Sequence, residues 1–163
     1  MMNAIAAVSA RWGIGKNNDL LFHIREDMRR FRTLTAGGAV LMGRKTLDSL
    51  PGGRPLPQRR NIVITRNPHF TREGVEVIHS IPEALRLAGE LEDAWVIGGG
   101  EIYAALLPNC KRCYITRVSA DPPFDTAFPD LDRLPNWRLL DAGEPKTEDG
   151  LSYRFTEYIN ENL

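Results

Sequence analysis

Ala94-Trp95-Val96-Ile97-Gly98-Gly99-Gly100-Glu101-Ile102-Tyr103 sets an apolar run, a glycine triplet and the opening of a helix in immediate succession. An unbroken apolar run bounded by glycine reads as a strand buried on both faces, as strands of parallel sheets are. Pro108 stops the helix that follows, giving it residues 100–107. Similar apolar runs recur at residues 4–10, 39–42, 61–65, 75–79 and 113–118, with helical patterns between several of them. That alternation predicts an α/β domain with a largely parallel sheet. Ser80-Ile81-Pro82-Glu83 has the form of a capping box, with Ser80 as N-cap of a helix through about residue 89. Residues 137–140 and 151–159 alternate apolar with polar, as antiparallel strands at the sheet's edge do. Residues 51–57 (Pro-Gly-Gly-Arg-Pro-Leu-Pro) and Asp121-Pro122-Pro123 are rigid loops. Residues 9–21, with Gly13, Gly15 and Asn17-Asn18, form a long connection of the kind that covers a site.

The chain has 163 residues, enough for one domain spanning 1–163. Its 21 basic and 21 acidic residues balance, with no long block of one sign. Small molecules, not nucleic acid or membrane, are therefore the expected partners. The apolar start lacks a basic segment before it and a cleavage site after it, so it reads as a first strand and not as a signal peptide. No stretch reaches the roughly twenty apolar residues of a membrane helix. Cys110 and Cys113 lack a second cysteine pair and nearby histidines, so no metal site is expected. Free thiols suit a cytoplasmic setting.

Asp27 falls inside the apolar stripe of Ile24, Met28, Phe31 and Leu34 on a helix expected over about residues 25–35. Two readings stay open at this stage. An ionised acid in an apolar cleft costs several kcal/mol unless a donor-rich ligand, such as a flat protonatable heterocycle, meets it. At the stripe's edge it would pair with Arg30 in solvent.

At the glycine triplet, a backbone without side chains lets a pyrophosphate approach the first-turn amides of the helix. The spacing falls short of G-x-G-x-x-G, since Tyr103 stands at the third glycine position, and a plain tight turn would look the same. Two further strand ends carry Gly43-Arg44-Lys45-Thr46 and Thr65-Arg66. Ligands of open α/β sheets bind beyond the carboxyl ends of strands, and arginines there favour a phosphorylated cofactor, NADPH over NADH. Solvated surface charge is the alternative for Arg44, Lys45 and Arg66.

Taken together, Ile5-Ala6-Ala7, Ile14-Gly15, Asp27 with Phe31, Met42-Gly43-Arg44-Lys45-Thr46, Gly53-Arg54-Pro55-Leu56-Pro57 with Arg59 and Asn61, Ile97-Gly98-Gly99-Gly100 with Tyr103, and Asp125-Thr126 with Phe128-Pro129 resemble the bacterial dihydrofolate reductases, nearly end to end. The resemblance implies a central, mostly parallel eight-stranded sheet with an antiparallel C-terminal edge and about four flanking helices. It implies a cytoplasmic monomer that reduces 7,8-dihydrofolate to tetrahydrofolate with NADPH and binds antifolate-type molecules.

By the same resemblance Asp27 holds the pterin's N3 and 2-amino group, with Thr116 supporting that end through water. Ile5, Ala6 and Ala7 line the pterin and nicotinamide. Met28, Phe31 and Leu50 enclose the substrate rings, Leu56 packs on the benzoyl group and Arg59 clamps the glutamate carboxylate. Gly43, Arg44, Lys45, Thr46, Thr65, Arg66, Gly98, Gly99 and Gly100 hold the cofactor phosphates, with Ile14, Ile97 and Tyr103 near the nicotinamide. Leu21-Phe22, Arg25 and Phe124 stand where the family commonly has Pro-Trp, proline and glycine. Phe22 lacks an indole donor, and Phe124 enlarges a loop expected to touch the lid. Arg59 separates this reading from another pterin or pyrimidine reductase, because only a glutamate-tailed substrate needs the clamp. Asp27 separates it from a nucleotide-binding module without turnover.

Overall fold

The computed structural model describes residues 1–163. Strands β1 (Met2–Val8), β4 (Ala39–Gly43), β5 (Arg60–Ile64), β6 (Val75–Ile78), β7 (Ala94–Gly98) and β8 (Arg112–Val118) are the apolar runs of the sequence, each within a residue or two of its expected bounds. With β10 (Trp137–Asp141) and β12 (Leu151–Asn160) they form one sheet in the order β10-β12-β8-β1-β7-β4-β5-β6. The pairings β8-β1-β7-β4-β5-β6 are parallel, while β12 runs antiparallel to β8 and to β10. A ninth strand, β11 (Lys146–Glu148), which sequence reading missed, pairs with β12.

Helices α1 (Arg25–Thr35), α2 (Arg44–Ser49), α3 (Ile81–Gly89) and α4 (Gly100–Leu106) complete the α/β domain. Ser80 caps α3 as expected, its hydroxyl accepting from Glu83 N at 3.2 Å. Helix α4 stops at Leu106, and a separate 3-10 turn, Leu107–Asn109, carries Pro108. The core fills both sides of the sheet. On one side Leu41, Ile62, Val96, Leu106 and Ile115 join a cluster with Trp12 and Phe128, and on the other Val40, Met42, Leu47, Val63 and Trp95 pack together. Cys110 and Cys113 are buried free thiols within the first cluster, and no group of acids, histidines and cysteines is arranged to hold a metal. No helix is long and apolar enough to cross a membrane.

The expected long connection after β1 is instead ordered. β2 (Gly13–Lys16) and β3 (Asp19–Leu20) make a hairpin, and β9 (Thr126–Ala127) adds a third strand. Asn17 and Asn18 form its two-residue turn with φ of 52° and 60°. Paired positive φ values suit the right-handed twist of a hairpin, and asparagine tolerates them.

Candidate active site

A cleft of about 320 Å³ opens between α1, the hairpin and the carboxyl ends of β1 and β7. Ile5, Ala6 and Ala7 form its floor, Asp27, Met28 and Phe31 one wall, and Thr46, Leu50, Ile97, Gly98, Gly99 and Tyr103 the other. Ile14 reaches it from β2. Thirteen of the site residues expected from sequence thus line one continuous space.

Asp27 settles the earlier alternatives in favour of the cleft. Its Oδ1 accepts from Thr116 Oγ1 at 2.5 Å, and Ala7 pairs with Thr116 in register, which puts this hydroxyl beside the cleft floor. Arg30 does not pair with it in solvent. That guanidinium lies over the rings of Phe155 and Tyr114, at 4.4 and 5.7 Å. Burial raises the carboxyl's pKa above the ordinary aspartate value, against the lowering effects of the Thr116 bond and the Arg30 charge. The acid is thus desolvated, with one fixed protein donor and its remaining acceptor capacity facing an apolar space.

Tyr103, at the position of a third glycine, is buried and donates to Ile5 O at 2.6 Å, tying α4 to the cleft floor. Gly98 has φ of 134°, and the Gly98–Gly99 peptide bond is cis. Cβ atoms at Gly98 and Gly99 would stand 3.2 and 3.4 Å from Thr46 Oγ1, so side chains there would close the space between the ends of β7 and β4. Gly100 is packed from the other side, its Cβ position lying 2.8 Å from Thr126 Cγ2.

The remaining candidates lie outside the cleft proper. Gly43 ends β4 with Arg44 and Lys45 after it, and Thr65 and Arg66 follow β5, its neighbour, so these and the glycine triplet share one edge of the sheet. Arg44, Lys45 and Arg66 are exposed, with Arg44 stacked on Phe70 at 4.8 Å. An open backbone cradle with three cations and two threonine hydroxyls alongside matches the donor set that a phosphorylated dinucleotide requires. Glu101, in the first turn of α4, is exposed.

Arg59 and Leu56 sit on the loop beyond α1. Asn61, buried at the start of β5, pins this loop: its Oδ1 accepts from Leu56 N at 2.8 Å, and its Nδ2 donates to Leu56 O and Arg59 O at 2.8 and 3.0 Å. Arg59 donates to Thr35 Oγ1 at 3.1 Å and to Pro57 O at 2.9 Å, leaving guanidinium N–H groups free near Phe31. Arg60 is already engaged with both carboxylate oxygens of Glu76, at 2.7 and 2.9 Å. Both arginines keep unused N–H groups, but Arg60 already has a carboxylate partner in Glu76, whereas Arg59 has none and so is the one with charge to offer an anionic ligand.

Sequence reading expected residues 9–21 to cover a site but named only Ile14 of their lining. Gly15, Asn18, Asp19 and Leu20 reach the cleft, as do Leu21, Phe22 and His23 after β3, Ser49 and Pro51 around Leu50, and Thr126. Asn17-Asn18 was the available signal, as a pair of residues that tolerate the positive φ values of a two-residue hairpin turn. Phe124 touches the lid as its size implies: its ring occupies the space where a Gly13 side chain would stand, and Arg11 lies over it at 5.5 Å. Asp125 secures the same hairpin, accepting from Asn17 N at 2.9 Å and donating its own N–H to Gly15 O at 3.0 Å.

Residues 1–160 match the family model described as dihydrofolate reductase. The chain belongs to the dihydrofolate reductase family. It is 42% identical over 153 residues to the type 3 dihydrofolate reductase of Salmonella typhimurium, covering 94% of this chain and 93% of that protein. The Mycobacterium tuberculosis enzyme is 40% identical over 163 residues, with 97% of each chain covered, and that of Bacillus subtilis 36% over 164 residues, with 99% and 96% covered. Among solved structures, the dihydrofolate reductase of Enterococcus faecalis, complexed with NADP(H) and RAB-propyl, superposes with a TM-score of 0.89 at 32% identity, covering 98% of this chain and 96% of that one. The enzyme class read from the sequence, an NADP-dependent oxidoreductase, stands with that membership.

Proposed function

We propose that this dihydrofolate reductase homologue converts 7,8-dihydrofolate to 5,6,7,8-tetrahydrofolate with NADPH, and that Asp27 is the acid on which the reaction depends. The observation that carries the reading is a desolvated carboxylate, bonded to Thr116, on the wall of an apolar cleft that runs on to the glycine triplet. NADPH, when bound, supplies a hydride to pterin C6.

The chain's own residues do the rest. Asp27 accepts N–H donors from the pterin's N3 and 2-amino group and, as a nearby anion, favours the cationic pterin at the moment N5 gains its proton. Thr116 fixes the carboxylate's orientation. Ile5, Ala6, Met28, Phe31 and Leu50 exclude water from the ring, and Leu56 and Arg59 hold the benzoyl-glutamate tail. Ala7, Ile14, Ile97 and Tyr103 flank the nicotinamide, while Gly43 to Thr46, Thr65, Arg66 and Gly98 to Gly100 hold the phosphates. Water entering past the β2–β3 hairpin is the proton donor to N5. Antifolate-type molecules with a protonatable ring fit the same acid. The reading places the enzyme, as a monomer, in a reducing cytoplasm where the thiols of Cys110 and Cys113 stay free.

The test is NADPH absorbance followed with and without dihydrofolate. Consumption that requires dihydrofolate supports the assignment, and none in its presence overturns it.

A further inference from the structure

Helix α1 begins without a cap of its own. Ile24 holds the N-cap position and offers no side-chain acceptor, so the first-turn amides must find partners elsewhere. They find Glu148, from β11 at the far end of the chain. Its Oε2 accepts from Arg25 N at 2.7 Å and its Oε1 from Glu26 N at 3.4 Å. The Glu148 side chain is only 14% exposed, and Arg25 Nε lies 3.4 Å from Oε2. The neighbouring strand pair holds the next residue as well: Glu26 Oε2 accepts from Tyr153 Oη at 2.7 Å, and Lys146 Nζ lies 3.1 Å from Oε1. Asp27 follows at once, as the third residue of the helix.

We propose that Glu148 is a positioning residue for Asp27, clamping the first turn of α1 so that the carboxylate stays on Thr116 and faces the substrate. The proposal rests on the reading of Asp27 given above. Helix ends fray when their terminal groups lack partners, and in α1 the functional acid lies within that terminal turn. A negative group at a helix N-terminus also offsets the helix dipole, so one carboxylate supplies both the missing acceptors and the charge.

Removing Glu148 acts on the titration of Asp27 both through its charge and through the carboxylate's placement, and Glu148→Gln, which removes the charge alone, separates the two in a pH profile. Loss of a nearby negative charge favours the Asp27 anion and lowers the midpoint of its titration. Misplacement acts through two further effects, since losing the Thr116 bond raises it and admitting water to the carboxylate lowers it. The other titratable groups facing Asp27 are Glu26 and Arg30 on α1, Tyr103 on α4, Tyr153 on β12, and Asp19 and His23 on the lid side. None of these is altered by the variants below.

The experiment compares Glu148→Ala, Glu148→Gln, Arg25→Pro and the double variant Arg25→Pro with Glu148→Ala, each checked for folding by circular dichroism. Gln keeps one oxygen for Arg25 N without the charge. Proline at residue 25 removes the N–H that Glu148 accepts, at a first helical position where proline is tolerated, after an Ile24 already extended at φ −96° and ψ 121°. The expected result is a kcat for dihydrofolate reduction reduced roughly ten- to a hundredfold by Glu148→Ala, with the pH midpoint displaced from that of Glu148→Gln and folate binding without NADPH also weakened. Glu148→Gln should retain most of the rate, and Glu148→Ala should cost little more once proline occupies residue 25.

Equal losses for Ala and Gln, a midpoint in Glu148→Ala identical to that in Glu148→Gln, or an undiminished penalty in the proline background would each overturn the proposal. Should Glu148→Ala fail to fold, Gln and the proline variant still decide it: an unimpaired Gln variant supports the acceptor role, and an impaired one refutes it. Asp27→Asn in the same assay separates the two claims. An unchanged rate there removes both, whereas a collapsed rate beside an unaffected Glu148→Ala removes only the clamp.

Discussion

Replacing Asp27 by asparagine should stabilise the protein at neutral pH while disabling it. The native state holds this carboxyl's pKa above the ordinary value because burial strips water from the anion faster than the Thr116 bond and the Arg30 charge restore it. A group whose folded pKa is raised favours folding at pH values below its unfolded pKa, and that contribution is lost as pH rises through the folded pKa. At pH 7 the ionised acid is therefore a net cost to the fold. Asparagine has the same shape, no charge, and a carbonyl that can still accept from Thr116 Oγ1. The gain should be about 0.5 to 2 kcal/mol, the range common for a single stabilising substitution. For a chain of this size each kcal/mol moves Tm by roughly 2 to 4 °C. Urea denaturation of both proteins at pH 7 and again near pH 4 measures it. The difference should shrink as the wild-type acid takes up its proton. A variant less stable at pH 7, or a gain undiminished in acid, would refute the desolvation argument.

Other substitutions test the remaining parts of the site. Arg59→Ala should weaken dihydrofolate binding by about 2 to 5 kcal/mol if the free guanidinium donors clamp a carboxylate, whereas Arg60→Ala, whose partner is Glu76, should leave binding nearly unchanged; equilibrium fluorescence titration distinguishes them. Arg44→Ala combined with Arg66→Ala should erode the preference for NADPH over NADH, read as the ratio of the two kcat/KM values. Tyr103→Phe should cost about 1 to 3 kcal/mol in chemical denaturation, since it leaves the Ile5 carbonyl without its buried donor.

The parallel half of the sheet could be read from the sequence because its strands are buried on both faces. Unbroken runs such as Ala39-Val40-Leu41-Met42 and Ile62-Val63-Ile64 have few other homes. The Ser80 cap was legible for a similar reason, as its hydroxyl and the Glu83 amide make a purely local bond. What escaped was short or set by distant partners. Helix α2 buries only Leu47 and has no side-chain cap, so nothing periodic announces it. Strand β11 is three residues long and exists through pairing with β12. The β2–β3–β9 sheet joins segments more than a hundred residues apart, and the turn signal at Asn17-Asn18 fixes only its local half.

In the site, the Asp27 register on α1 was visible as a polar break in an apolar stripe. Its burial was not, because Arg30 might equally have reached it; the rings of Phe155 and Tyr114, from two other strands, decide where that guanidinium goes. Arg59 was preferred to Arg60 by motif position alone; what sets the two apart in the structure is Glu76, sixteen positions from Arg60 and on the adjacent strand.

The pH dependence of turnover in Asp27→Asn bears most directly on the whole account. An anion that favours the protonated pterin should be indispensable at pH 7 and partly dispensable in acid, where the substrate arrives already protonated. The rate should therefore fall steeply at neutral pH and recover in part as pH is lowered. A near-normal rate at pH 7, or a deficit that does not change with pH, would contradict it.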